Sequence, residues 1–132
     1  MQEFTVPNGV HTICEKAFVG AGDYYRLGES SKPFSINLNK TTTIQLGALA
    51  QACITTLTIP ASVTSMDEPL SYPGASVSPC YIEDLTWDKK TETKTLRSIF
   101  TSGITNSLKK LTIGTSVESL PANFLMIKND VF

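Results

Sequence analysis

Apolar and polar positions along this chain fall into one short unit that recurs. Phe4-Thr5-Val6-Pro7-Asn8-Gly9-Val10-His11-Thr12-Ile13 matches Leu57-Thr58-Ile59-Pro60-Ala61-Ser62-Val63-Thr64-Ser65-Met66. Both match Leu111-Thr112-Ile113-Gly114-Thr115-Ser116-Val117-Glu118-Ser119-Leu120. The shared order is apolar, Thr, apolar, Pro or Gly, two small or polar residues, Val, two polar residues, apolar. Two degenerate copies lie between: Phe34-Ser35-Ile36 leads into Thr42-Thr43-Ile44, and Leu85-Thr86-Trp87 leads into Thr95-Leu96. The first apolar residues stand at 4, 34, 57, 85 and 111, giving steps of 30, 23, 28 and 26 residues. Periods in the twenties are solenoid lengths, with the longer steps carrying insertions.

The alternation within one copy predicts its local structure. In Leu57-Thr58-Ile59 the two aliphatics point to one side of a strand and Thr58 to the other. Pro60 closes the strand because it cannot donate to a ladder. Val63 and Met66 then return apolar groups to the same interior. One coil cannot cover its own apolar side, so coils must stack and pair their strands in parallel. Ala17-Phe18, Ala48-Leu49, Ile99-Phe100 and Phe124-Leu125 predict brief helical or 3₁₀ turns that plug the convex side. Trp87 is in phase with Ile59 and Ile113 and is expected to point inward. The expected fold is a single domain over 1–132: about five coils, with a parallel β-sheet on the concave face.

These residues resemble the BspA-like leucine-rich repeats, whose pattern runs LxxIxIPxxVTxIGxxAFxxC. Leu57 to Met66 follows it closely, Val6 to Phe18 carries the AF element, and Cys53 falls near the cysteine position. Copies two and four depart from it, with Asn39 and Asp88 in place of the proline. The resemblance implies a leucine-rich repeat solenoid that is secreted or displayed on a cell surface, mostly in bacteria, and serves adhesion. It implies no cofactor and transfers no catalytic motif.

Charge and composition narrow the partners. Among 132 residues, 11 basic and 12 acidic side chains leave a net charge of −1. No basic excess exists to neutralise phosphates, so nucleic acid is not an expected partner. No run of apolar residues is long enough for a membrane-spanning helix, and the N-terminus lacks the layout of a signal peptide. The final Asn129-Asp130-Val131-Phe132 stops where another strand could begin, so a longer parent protein is expected. Cys14, Cys53 and Cys80 with the single His11 make no zinc-ligand spacing. Cys53 and Cys80 lie four and five residues ahead of Leu57 and Leu85, an offset that argues against a bridge. Asn39-Lys40-Thr41 is a formal glycosylation sequon.

An enzyme is not expected. His11 occupies a repeat slot held elsewhere by Thr64 and Glu118, which reads as surface rather than as a catalytic base. Glu83 and Asp84 are sequential, so on a regular strand they would face opposite sides rather than flank one cleft.

Binding therefore falls to outward residues. Thr5, Ser35, Thr58, Thr86 and Thr112 supply one hydroxyl per coil, about 4.8 Å apart on stacked parallel strands. Glu3, Pro33, Thr56, Asp84 and Lys110 form a second column of mixed charge, too irregular to match an ice lattice. Insertions supply another candidate, with Tyr24 and Tyr25 in 19–33 and Tyr72 in 69–80. Two functions remain: a module that recognises an extracellular protein or glycan, or a spacer with no ligand of its own. Unpaired strand edges on the terminal coils also predict self-association or continuation into a longer parent.

Overall fold

The structure is a computed structural model and describes residues 2–19, 21–22, 33–69, 81–96, 99 and 108–125. Eight short strands occur in it: β1 Gln2–Thr5, β2 Thr12–Ile13, β3 Phe34–Asn37, β4 Thr43–Ile44, β5 Cys53–Ile59, β6 Ser65–Met66, β7 Tyr81–Trp87 and β8 Lys110–Ile113. They form a five-stranded sheet in the order β1-β3-β5-β7-β8 and a three-stranded sheet in the order β2-β4-β6. Every pair is parallel. Each turn of chain therefore adds a strand to the first sheet and, through the third turn, one to the second. Helix among the described residues is confined to Leu96 and Ile99. The arrangement is solenoid-like: parallel sheets of short strands, stacked in chain order.

The alternation places its apolar residues as expected. Leu57, Ile59, Leu85 and Trp87 are fully buried, whereas Thr58 and Thr86 between them are half-buried. Val63, Met66, Ala48, Leu49, Ile99 and Phe124 close the core from the other side. Trp87 meets Phe124 edge to face with ring centroids 5.2 Å apart, a geometry that aligns ring edge with ring face. The segments around Phe18, Leu49 and Phe124 are turns rather than helices. Lys16, Gly47 and Asn123 take positive φ of 63°, 70° and 61° at equivalent points, three residues after Ile13, Ile44 and Leu120. That left-handed residue reverses the chain into each plug. Leu125 points away from the core and is 49% exposed.

The second coil is offset from the sequence expectation. Phe4 pairs with Ile36, Ile36 with Leu57, Leu57 with Leu85 and Leu85 with Leu111. The repeat thus begins at Ile36 rather than Phe34, and Asn37 rather than Ser35 stands beside Thr5 and Thr58. The cause is one missing residue. Coils three to five run Ile54-Thr55-Thr56-Leu57, Ile82-Glu83-Asp84-Leu85 and Leu108-Lys109-Lys110-Leu111, with two outward residues between buried ones, Leu111 being partly buried against the core. Coil two has only Ser35 between Phe34 and Ile36, so the β3–β5 register shifts there. The same bulge corrects the expectation for Glu83 and Asp84: inward neighbours on both sides leave neither of them facing the core.

Coil four departs at its second strand. The second-sheet position falls at Thr91, which bridges Ser119, and not at Thr95-Leu96. The Glu92 carboxylate accepts the Thr93 and Lys94 amides at 2.8 and 3.1 Å, turning the chain before Leu96 becomes helical. Lys90 then corresponds to Thr64, since its carbonyl accepts the Glu118 and Ser119 amides as Thr42 O accepts those of Thr64 and Ser65. Lys89 consequently occupies the slot that holds Val10, Val63 and Val117 elsewhere, and it is buried. Its ammonium donates to Thr91 O at 2.6 Å and lies 3.4 Å from Glu92, the partners that a buried charge requires. Thr41 fills the same slot in coil two and satisfies its hydroxyl on Leu38 O at 2.6 Å.

Both residues that replace the proline act as clasps between coils. Asn39, at φ 53°, donates from Nδ2 to Val6 O at 3.0 Å and to Asn8 Oδ1 at 2.6 Å in coil one. Asp88 accepts the Ser116 amide of coil five at 2.8 Å. A Cβ on Gly114 would collide with the Asp88 side chain, so that close approach requires glycine.

Candidate recognition face

The outward side of the five-stranded sheet carries two columns. In register, the first runs Thr5, Asn37, Thr58, Thr86, Thr112. Its end members Thr5 and Thr112 are exposed, as is Asn37, while Thr58 and Thr86 are half-buried between neighbours. The column is uncharged and offers a hydroxyl or amide from every coil. Asn37 Oδ1 also accepts the Asn39 amide at 2.9 Å, so its side chain is held in place by the clasp. The second column runs Glu3, Ser35, Thr56, Asp84, Lys110, with Ser35 opposite Glu3 and facing the Thr55-Thr56 bulge. Ser35 therefore belongs to the second column, which displaces Pro33 from it. Pro33 precedes β3 and is half-buried.

Charge is sorted along this ribbon. The bulge positions are Thr55 and Thr56 in coil three, Glu83 and Asp84 in coil four, and Lys109 and Lys110 in coil five. Lys109 Nζ donates to Glu83 Oε1 at 3.2 Å, with the lysine side chain 71% exposed. Asp84 is in register with Lys110. Tyr81 OH also donates to Glu83. Accepting these two bonds holds the Glu83 carboxyl below its ordinary value. Donating to Glu83, together with burial, pushes the Tyr81 phenol up to about 12.

Elsewhere the candidates separate. Tyr24, Tyr25 and Tyr72 lie outside the described residues, as does Cys80. Cys53 is buried and stands in register with Tyr81, so the one-residue offset from Cys80 is carried into the ladder. Cys14 and His11 are exposed. No cluster of three His, Cys, Asp or Glu residues able to hold a metal occurs among the described residues. Among them, no helix is long and apolar enough to cross a membrane.

Sequence reading missed Asn37, the Tyr81–Glu83–Lys109 group and the Lys89–Glu92 pair. Asn37 was signalled by Asn39: a residue in the proline slot makes Ile36-Asn37-Leu38 the strand core. The Lys89 pair had no such signal, because its slot is defined only by hydrogen bonds between coils. A cleft of about 230 Å³ opens beside it, lined by Thr64, Met66, Lys89, Thr91, Glu92 and Thr93, where the second sheet ends at β6. Comparison with protein-family models, with curated proteins and with solved structures finds no match to this chain.

Proposed function

We propose that this chain is a non-catalytic recognition module, a leucine-rich repeat solenoid of the BspA-like kind. On this reading it acts at a cell surface or after secretion and binds an extracellular protein or glycan. The partner lies along the outward ribbon of the five-stranded sheet. The observation that supports this most is the uncharged column Thr5, Asn37, Thr58, Thr86, Thr112, repeated once per coil on a packed core. Parallel strands about 4.8 Å apart present donors and acceptors at a fixed spacing, which suits a partner with repeating polar groups. The side chains that present them lose little freedom on binding, because Thr has one χ angle and the strands are already ordered.

The test is solution binding to matrix proteins and to a broad glycan panel, with the wild type beside a Thr58→Lys, Thr86→Lys pair. Both side chains are half-buried on the outward face, so the long lysines reach solvent and the fold survives. Binding by the wild type and a loss of about tenfold or more in the folded variant is the expected result. Absence of binding to every panel member would favour a spacer instead.

A further inference from the structure

We propose that the second face of the stack carries a binding site for a single neutral sugar ring, set where the ladder between coils three and four is interrupted. Elsewhere on this face each coil passes its backbone bonds on to the next. His11 O, Thr42 O and Lys90 O each accept two amides from the following coil, and Ile13 O and Ile44 O each accept one. Thr64 O and Met66 O hold the corresponding places in coil three, yet among the described residues neither accepts a backbone amide from coil four. The groups of coil four that the repeat would set against them are turned to its own side chains. Thr91 O takes the Lys89 ammonium at 2.6 Å, and the Thr93 amide goes to the Glu92 carboxylate at 2.8 Å. The cleft of about 230 Å³ lies between the two coils, with Thr64 and Met66 on one wall and Lys89, Thr91, Glu92 and Thr93 on the other. The interruption is internal to the stack, since Thr91 and Ser119 resume the pairing between coils four and five.

The lining specifies the ligand. Lys89 and Glu92 are held in place, with side chains 10% and 8% exposed, and they cancel in charge. A charged ligand therefore finds no excess of opposite charge to offset its desolvation. What the cleft offers is donors and acceptors side by side: the Thr64 and Met66 carbonyls, the hydroxyls of Thr64, Thr91 and Thr93, and the Lys89 ammonium. A sugar hydroxyl is one donor and two acceptors, so neighbouring hydroxyls on a ring can donate to a carbonyl and accept from the ammonium or a threonine. Met66 gives the C–H face of the ring an apolar contact. The volume is below the roughly 300 Å³ at which clefts for drug-sized ligands begin, so one ring fits. A peptide strand is the poorer occupant. The edge of β6 is two residues long, and strand addition draws its affinity from a run of main-chain bonds. The site lies on the other sheet from the outward ribbon and does not depend on it.

The test is a proton–nitrogen NMR titration of the chain with the methyl glycosides of glucose, galactose and mannose. At least one should shift the Met66 and Thr93 amides saturably, with the weak affinity of a one-ring ligand, and leave Thr58 and Thr86 unmoved. Thr93→Val removes one exposed hydroxyl from the cleft wall and should weaken that sugar by about fivefold to tenfold. Glu92→Gln leaves Lys89 uncompensated, so the corresponding uronic acid should then bind more tightly than the neutral sugar, the reverse of the wild type. Thr58→Lys with Thr86→Lys should change none of this, which separates the site from the ribbon. Saturation by none of the three sugars, shifts centred on the ribbon instead, or affinity indifferent to Thr93→Val would overturn the proposal. So would the same shifts produced by trialanine at equal concentration, since they would make the cleft a strand acceptor.

Discussion

Tyr81 and Glu83 share one hydrogen bond, and its consequences run in opposite directions with pH. The Tyr81 phenol is raised from 10.0 to about 12, so its contribution to stability is whole below pH 10 and is lost as pH rises through about 12. The Glu83 carboxyl is lowered, so its contribution is present above the ordinary carboxylate range and is lost as pH falls through the depressed value. A near-ultraviolet titration of the chain's four tyrosines should show one phenol ionising last, and Tyr81→Phe should remove that step. Ionisation of Tyr81 in step with the others would show that the bond is not formed in solution. At Gly114 the constraint is steric, because any Cβ there enters the Asp88 side chain. Gly114→Ala should therefore destabilise by about 1–3 kcal/mol, read as a lowered thermal midpoint.

At the scale of strands and turns, what was legible in the sequence was local, and what was not was relational. Leu57-Thr58-Ile59-Pro60 announces a strand and its end by alternation and a missing donor, and the buried Leu57 and Ile59 follow from that alone. Trp87 was readable as core by the same phase. The start of coil two was not, because Phe34-Ser35-Ile36 alternates as well as Ile36-Asn37-Leu38 does. The pairing of Phe4 with Ile36 and the shift between β3 and β5 separate the two, and that shift depends on the Thr55-Thr56 pair in a neighbouring coil. Lys89 was hidden for a related reason: coil four is shortened between its strands, which moves a lysine into a valine slot. Asn39 provides a test of whether the degenerate positions are clasps or lapses. Restoring the proline of the other coils, Asn39→Pro, should destabilise by more than about 1 kcal/mol, because proline cannot adopt φ 53° and the bonds to Val6, Asn8 and Asn37 are lost. Unchanged urea unfolding in that variant would make the departure from the repeat a neutral one.

For the whole molecule, the proposed function rests on one register. The outward column that would meet a partner and the acid-to-base contact between coils four and five both follow from stacking Phe4, Ile36, Leu57, Leu85 and Leu111 in line. A shift of coil two by the two residues that separate Phe34 from Ile36 would keep its apolar side inward. It would also put Ser35 in place of Asn37 and move Asn39 out of reach of coil one. The most direct measurement is a solution map of interstrand proton contacts by NMR on the unaltered chain. This register requires contacts from Asn37 to both Thr5 and Thr58, with Ser35 contacting Glu3 and the Thr55-Thr56 pair. Contacts from Ser35 to Thr5 and Thr58 would contradict it.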